Sequence, residues 1–129
     1  MTTENLWGEI PDVSSVRAPV TILREQASVL TGMTGGLLEG HVAIDNRGDQ
    51  TTYLTLSIVA RTLNSYRIAI AGVEHALTLY PAAVRNLLTA GTRRVRDEQE
   101  FKLALKEVLS SEAVRRVLTA LLVQLKAQV

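Results

Sequence analysis

The chain has 129 residues, and its 14 basic and 13 acidic side chains leave a net charge of +1. With 47% hydrophobic and 21% charged residues, it has a globular composition able to bury roughly two-thirds of the unfolded surface. So even a charge balance offers no global field for nucleic acid or an anionic membrane, and the absence of cysteine excludes disulfides, thiolate metal sites and cysteine nucleophiles.

The opening MTTENLWGEI has neither a basic n-region nor an apolar run, so no secretory signal is expected. The densest apolar stretch, LTALLVQL at 118–125, is far shorter than the about 18 residues a membrane span needs. A cytoplasmic protein with no membrane partner is the expectation. Residues 1–18 read as an arm, broken by Gly8 and Pro11, with Glu4, Glu9 and Asp12 and no basic residue in its first dozen positions. Its apolar side chains are Leu6, Trp7 and Ile10, and Trp7 is the chain's only tryptophan. Such an arm either packs on its own domain or anchors a partner. Residues 19–129 are expected to form a single α+β domain.

Pro19 suits a first helical position, and the spacing predicts a helix over 19–32. Val20, Ile22, Leu23, Ala27, Val29, Leu30 and Met33 take about half the wheel. Gln26 falls inside that half and would need a hydrogen-bond partner. The glycine-rich TGMTGGLLEG at 31–40 follows a helix, precedes a strand and has no lysine, so it is not a phosphate loop. Gly32 is expected to end the helix in a left-handed conformation.

Three antiparallel strands in a meander are predicted next. The first is LLEGHVAID, with Leu38, Val42 and Ile44 opposite Glu39, His41 and Asp45. After the turn NRGDQ comes TTYLTLSIVA, with Leu54, Leu56 and Ile58 opposite Tyr53, Thr55 and Ser57. The third, YRIAIAGVEHALTLYP, puts Ile68 and Ile70 on one phase and Val73, Leu77 and Leu79 on the other. The flip at Ala71-Gly72 predicts a β-bulge. Pro81 is expected to close the sheet, and a helical turn is expected over 82–90, stopped by Gly91. The polar face, with Glu39, His41, Tyr53, Thr55, Ser57 and Tyr66, is left to solvent or to a second copy.

Asp97 and Glu100 are spaced as a capping box before a helix whose core face is Phe101, Ala104, Leu105, Val108 and Leu109. Ser110-Ser111 breaks it and caps the last helix, where Val114, Val117, Leu118, Leu121, Leu122 and Leu125 span an arc of about 140°. Val123 falls among the polar residues Arg116 and Lys126. Both C-terminal helices are expected to pack on one face of the sheet.

Little in this sequence carries catalytic chemistry. His41 and His75 each neighbour a glutamate, Glu39 and Glu74, but Glu74 is adjacent to His75 along a strand and points to the other face. A hydrogen-bonded structural role fits His75. There is no GxSxG elbow, HExxH motif or paired-acid motif, so no enzyme, metal or cofactor is expected. Arg93, Arg94 and Arg96 precede a helix N-terminus, where anions are favoured. The helix–three strands–helix order there resembles the double-stranded-RNA-binding domain in topology, but DEQE stands in place of that family's lysine-rich helix start. The stretches LWGEIP (6–11), PVTILREQASVLTG (19–32), LTLYP (77–81) and VLSSEAVRRVLTALL (108–122) resemble a group of small bacterial proteins without an assigned activity. That resemblance implies a bacterial cytoplasmic protein and transfers no site. The expectation is a non-enzymatic interaction module, a small regulatory or accessory subunit in a setting such as toxin immunity or phage defence. It would self-associate or bind another protein through Leu6, Trp7, Ile10, Arg115, Arg116, Leu122 and Val123. The alternative is a nucleic-acid or phosphate binder using Arg93, Arg94 and Arg96, and a small ligand between sheet and helices, reached by His41 and the sheet tyrosines, is the third reading.

Overall fold

The computed structural model describes residues 3–46 and 48–128. Met1 and Thr2 of the expected arm, Arg47 of the expected NRGDQ turn, and Val129 lie outside the described residues. Helix α1 (Pro19–Met33) is followed by strands β1 (Glu39–Asn46), β2 (Thr52–Ala60), β3 (Tyr66–His75), β4 (Ala82–Asn86) and β5 (Thr92–Val95), then by α2 (Glu98–Leu109) and α3 (Glu112–Ala127). The strands form one antiparallel sheet in the order β1-β2-β3-β4-β5. The fold is α+β, but the sheet has five strands where three were expected.

Three differences from the expected sheet lie after His75. The third strand stops there, and 76–81 is a connection rather than strand, so Pro81 does not close the sheet. Ala82–Asn86 is not a helical turn but β4: Ala82, Val84 and Asn86 are buried while Arg85 is exposed, which is the two-residue period of a strand. Alanine favours helix in isolation, but pairing with β3 decides the conformation. The basic TRRV segment is β5, which extends the meander through Val95↔Ala82 to Arg85↔Thr92. With these strands the topological likeness to the double-stranded-RNA-binding domain ends.

The expected bulge is present, displaced slightly from Ala71-Gly72. Leu56 faces Ala71 and Ser57 faces Ala69, so Ile70 is the extra residue on β3. A bulge inserts one residue and resets the alternation. Ile68 and Ile70 before it and Ala71 and Val73 after it therefore share the helix-covered side, with Leu54, Leu56 and Ile58 of β2. Tyr66 is carried to that side as well, opposite Ala60, rather than to the polar face.

Helix α1 ends later than Gly32. Gly36 N–H donates to Thr31 O at 2.9 Å and Gly35 N–H to Gly32 O at 3.2 Å, the paired bonds of a Schellman ending, with Gly35 at φ 60°. The left-handed position is thus Gly35. The Thr34 hydroxyl then receives Leu38 N–H at 3.1 Å and turns the chain into β1. There α1 lies hard against the sheet: a Cβ at Gly40 would fall 2.4 Å from Ala27 Cα. Glycine is needed at that position because two backbones meet there.

The C-terminal helices begin where their caps predict. Asp97 receives Glu100 N–H at 2.8 Å, and Ser111 receives Val114 N–H at 3.4 Å. The reciprocal arm of the Asp97 box is shifted by one residue: the Glu100 carboxylate accepts from Arg96 N–H at 2.8 Å. The core joins Ile22, Leu23 and Leu38 to the inner side of the sheet and to Phe101, Leu105, Val108, Val114, Leu121 and Leu125. Among the described residues no helix is long and apolar enough to cross a membrane.

Candidate functional site

Three of the seven apolar side chains on the predicted face of α1 are buried: Ile22, Leu23 and Ala27. Val29 and Met33 remain 47% and 81% exposed. Gln26 is exposed too, so it needs no buried partner. The uncovered strip of α1 is one wall of an open groove of about 950 Å³. Its floor is Leu56, Ser57, Ile58 and the bulged Ile70, and its far wall is Leu105 and Leu109 of α2 with Leu118 and Leu122 of α3. The bulge matters here, since it puts Ile70 on the floor in addition to Ile58.

The rim is mainly basic. Arg17, Lys102, Lys106 and Arg115 line the groove with a single carboxylate, that of Glu25. Arg17 pairs with Glu25, and Lys102 with Glu98 at 3.1 Å. Lys106 and Arg115 have no carboxylate partner among the described residues. At the same end the arm is pinned to the domain: Arg17 N–H donates to Glu98 at 2.9 Å, and the Tyr80 hydroxyl donates to Arg17 O at 3.2 Å. These bonds from Arg17 and Lys102 hold the Glu98 carboxyl below its ordinary range. Burial, then the charges of Glu98 and Asp97, push the Tyr80 phenol up to about 12.

Beyond Arg17 the arm leaves the domain. Its side-chain hydrogen bonds are local, between Asn5, Trp7 and Gly8 and between Asp12 and Ser14. Leu6, Trp7 and Ile10 stand in solvent, Trp7 at 88% exposure. Of the expected interface residues, Arg115 and Leu122 lie on the groove. Arg116 and Val123 are exposed and outside it, Arg116 paired with Glu112 at 2.7 Å.

The arginine cluster is divided by β5. Arg93 is level with Val84 on the helix side and binds Glu107 of α2 at 2.6 Å. Arg96 binds Glu100 at 3.1 Å. Both guanidinium pKa values are raised, by those hydrogen bonds first and the carboxylate charges second. Arg94, opposite Ala83, faces the uncovered side and has no carboxylate partner among the described residues.

That uncovered face is laced together across strands. Glu39 accepts from Arg61 at 2.8 Å, and Glu74 accepts from the Tyr53 hydroxyl at 3.3 Å and lies 3.6 Å from Arg85. His41 is exposed there, away from the groove. His75 is buried on the opposite side from Glu74, with Nδ1 2.7 Å from Ala76 O. A carbonyl only accepts, so in this contact Nδ1 is the donor. No group of three or more metal-ligating side chains occurs among the described residues.

Sequence reasoning missed Asn86, a buried side chain that donates to Ser111 Oγ at 3.2 Å and accepts from Leu88 N–H at 3.0 Å. It ties the β4–β5 turn to the cap of α3, so it sets where the far wall of the groove begins. Comparison with protein-family models, with curated proteins and with solved structures gives no match.

Proposed function

We propose that the chain is a non-enzymatic protein-interaction module that self-associates through the groove between α1 and the α2–α3 pair. A small bacterial cytoplasmic regulatory or accessory subunit, of the kind that serves toxin immunity or phage defence, fits this reading. The observation that carries it is the groove itself: a concave apolar surface with Val29 and Met33 left open to water beside Leu118 and Leu122. Continuous exposed apolar surface of this kind marks an interaction site, and a self-complementary contact closes as a dimer. Light scattering after gel filtration at two concentrations tests it. A mass of two chains at the higher concentration is expected, and a monomer at both contradicts it.

The nucleic-acid or phosphate reading has weaker support, because Arg93 and Arg96 already hold carboxylates. It would rest mainly on Arg94. A duplex-binding assay titrated with salt decides it: the interaction reading expects no binding at low salt, whereas binding lost in Arg94→Ala favours the anion reading.

A further inference from the structure

We propose that the occupant of the groove is the arm of a second copy, exchanged reciprocally so that each chain's Leu6, Trp7 and Ile10 fill the other's groove. This rests on the self-association reading and adds what the contact is made of. The arm and the groove are complementary in two independent respects. The arm exposes Leu6, Trp7, Ile10 and Val13, large apolar groups without cover on their own domain. The groove exposes the matching apolar surface. The arm carries Glu4, Glu9 and Asp12 and no basic residue before Arg17. The groove carries Lys106 and Arg115 with their charges unpaired among the described residues. Opposite charges around a central aromatic anchor are the usual anatomy of a specific interface.

Both halves of the contact are held ready. Arg17 belongs to the groove lining and is fixed by Glu98, Glu25 and Tyr80, so each arm departs from the end of a groove. Exchange of two arms about a twofold axis uses both grooves and leaves no open end, giving a dimer rather than a fibre.

Trp7 is the only tryptophan, so its fluorescence reports the docking alone. The full chain is diluted over three decades of concentration. Dilute wild-type protein is then mixed with excess Trp7→Phe chain, which has no tryptophan and an intact groove. The expected result is blue emission at high concentration, red emission on dilution, and a return to blue on adding the Trp7→Phe chain. Adding a Trp7→Phe chain that also carries Val29→Glu and Met33→Glu restores nothing. Trp7→Ala weakens the dimer about thirty-fold, the effect of losing a central aromatic anchor. Red emission at every concentration from a protein that light scattering shows to be dimeric overturns the arm exchange and leaves the self-association reading standing. Blue emission independent of concentration and of added chain means the arm folds into its own groove, which also overturns the exchange. A monomer throughout removes both.

Discussion

Replacing Gly40 with alanine tests how α1 is seated, and with it the position of one groove wall. A Cβ at Gly40 would lie 2.4 Å from Ala27 Cα, 2.5 Å from Ala27 Cβ and 2.9 Å from Ala27 O. Carbon atoms pack at about 3.5 Å or more, so α1 and β1 must separate by roughly 1 Å. The obstruction is backbone, and no rotamer change relieves it. A gap of that size forfeits a quarter to a half of each contact beneath the helix, where Ile22, Leu23 and Leu38 are packed. Overpacking of this kind costs about 1–3 kcal/mol, offset by up to about 1 kcal/mol from the stiffer unfolded chain. A net loss of about 1–2 kcal/mol is expected, or roughly 4–8 °C in Tm. Urea denaturation followed by far-ultraviolet circular dichroism is the assay, since Trp7 sits on the exposed arm and does not report on the core. Gly48→Ala, with no atom within 4 Å of the added Cβ, is the control. Ala27→Gly in the Gly40→Ala background should not restore stability, because Ala27 Cα itself is in the way. A Gly40→Ala protein within about 0.5 kcal/mol of the parent would refute the seating of α1.

Asn86→Ala removes the hydrogen bond that joins the β4–β5 turn to Ser111 and the one that Leu88 N–H makes inside that turn, and a loss of about 1–3 kcal/mol in urea denaturation is expected; an unchanged midpoint would show that the tie is idle. Glu98 and Glu100 have folded pKa values below the ordinary 4.5, so they contribute stability above that pH and lose it as pH falls through the lowered values. The urea midpoint should therefore fall less steeply in acid for the Glu98→Gln, Glu100→Gln double variant than for the parent, and parallel curves would contradict this. The Tyr80 phenol is raised, so its contribution is complete below the ordinary value of 10.0 and lost as pH rises through about 12. Subtracting the ultraviolet titration of Tyr80→Phe from that of the parent should leave a curve centred near 12, and a midpoint at 10 would show Tyr80 solvated.

Local signals were right about helix starts and about the interruption in β3, while the left-handed ending of α1 fell at Gly35 rather than at the expected Gly32. Pro19, Asp97 and Ser111 each mark a helix start because a cap depends only on residues within one turn. The phase flip in β3 announced a bulge for the same reason, displaced only to Ile70. Strands β4 and β5 were not legible, because short pairing segments rich in alanine and arginine have no strong preference of their own. They are held by Val84 and Val95 entering a core made by distant residues. Missing β5 also kept Arg93, Arg94 and Arg96 together as one cluster, whereas strand alternation sends Arg93 to Glu107 and Arg94 to the other face. The groove was hidden for a different reason. Periodicity identifies Val29 and Met33 as apolar-face residues, but whether another element covers that face depends on where α3 lies, which no local pattern encodes.

The central claim is that the strip of α1 left uncovered by its own domain is covered by a second copy. Sedimentation equilibrium of the full chain beside its Val29→Glu, Met33→Glu double variant tests this most directly, because both side chains are open to water in the single chain and their replacement leaves the core intact. The account predicts a monomer–dimer equilibrium for the parent and a folded monomer for the variant, with matching circular dichroism. A parent that sediments as a monomer, or a variant that dimerises as tightly as the parent, would contradict it.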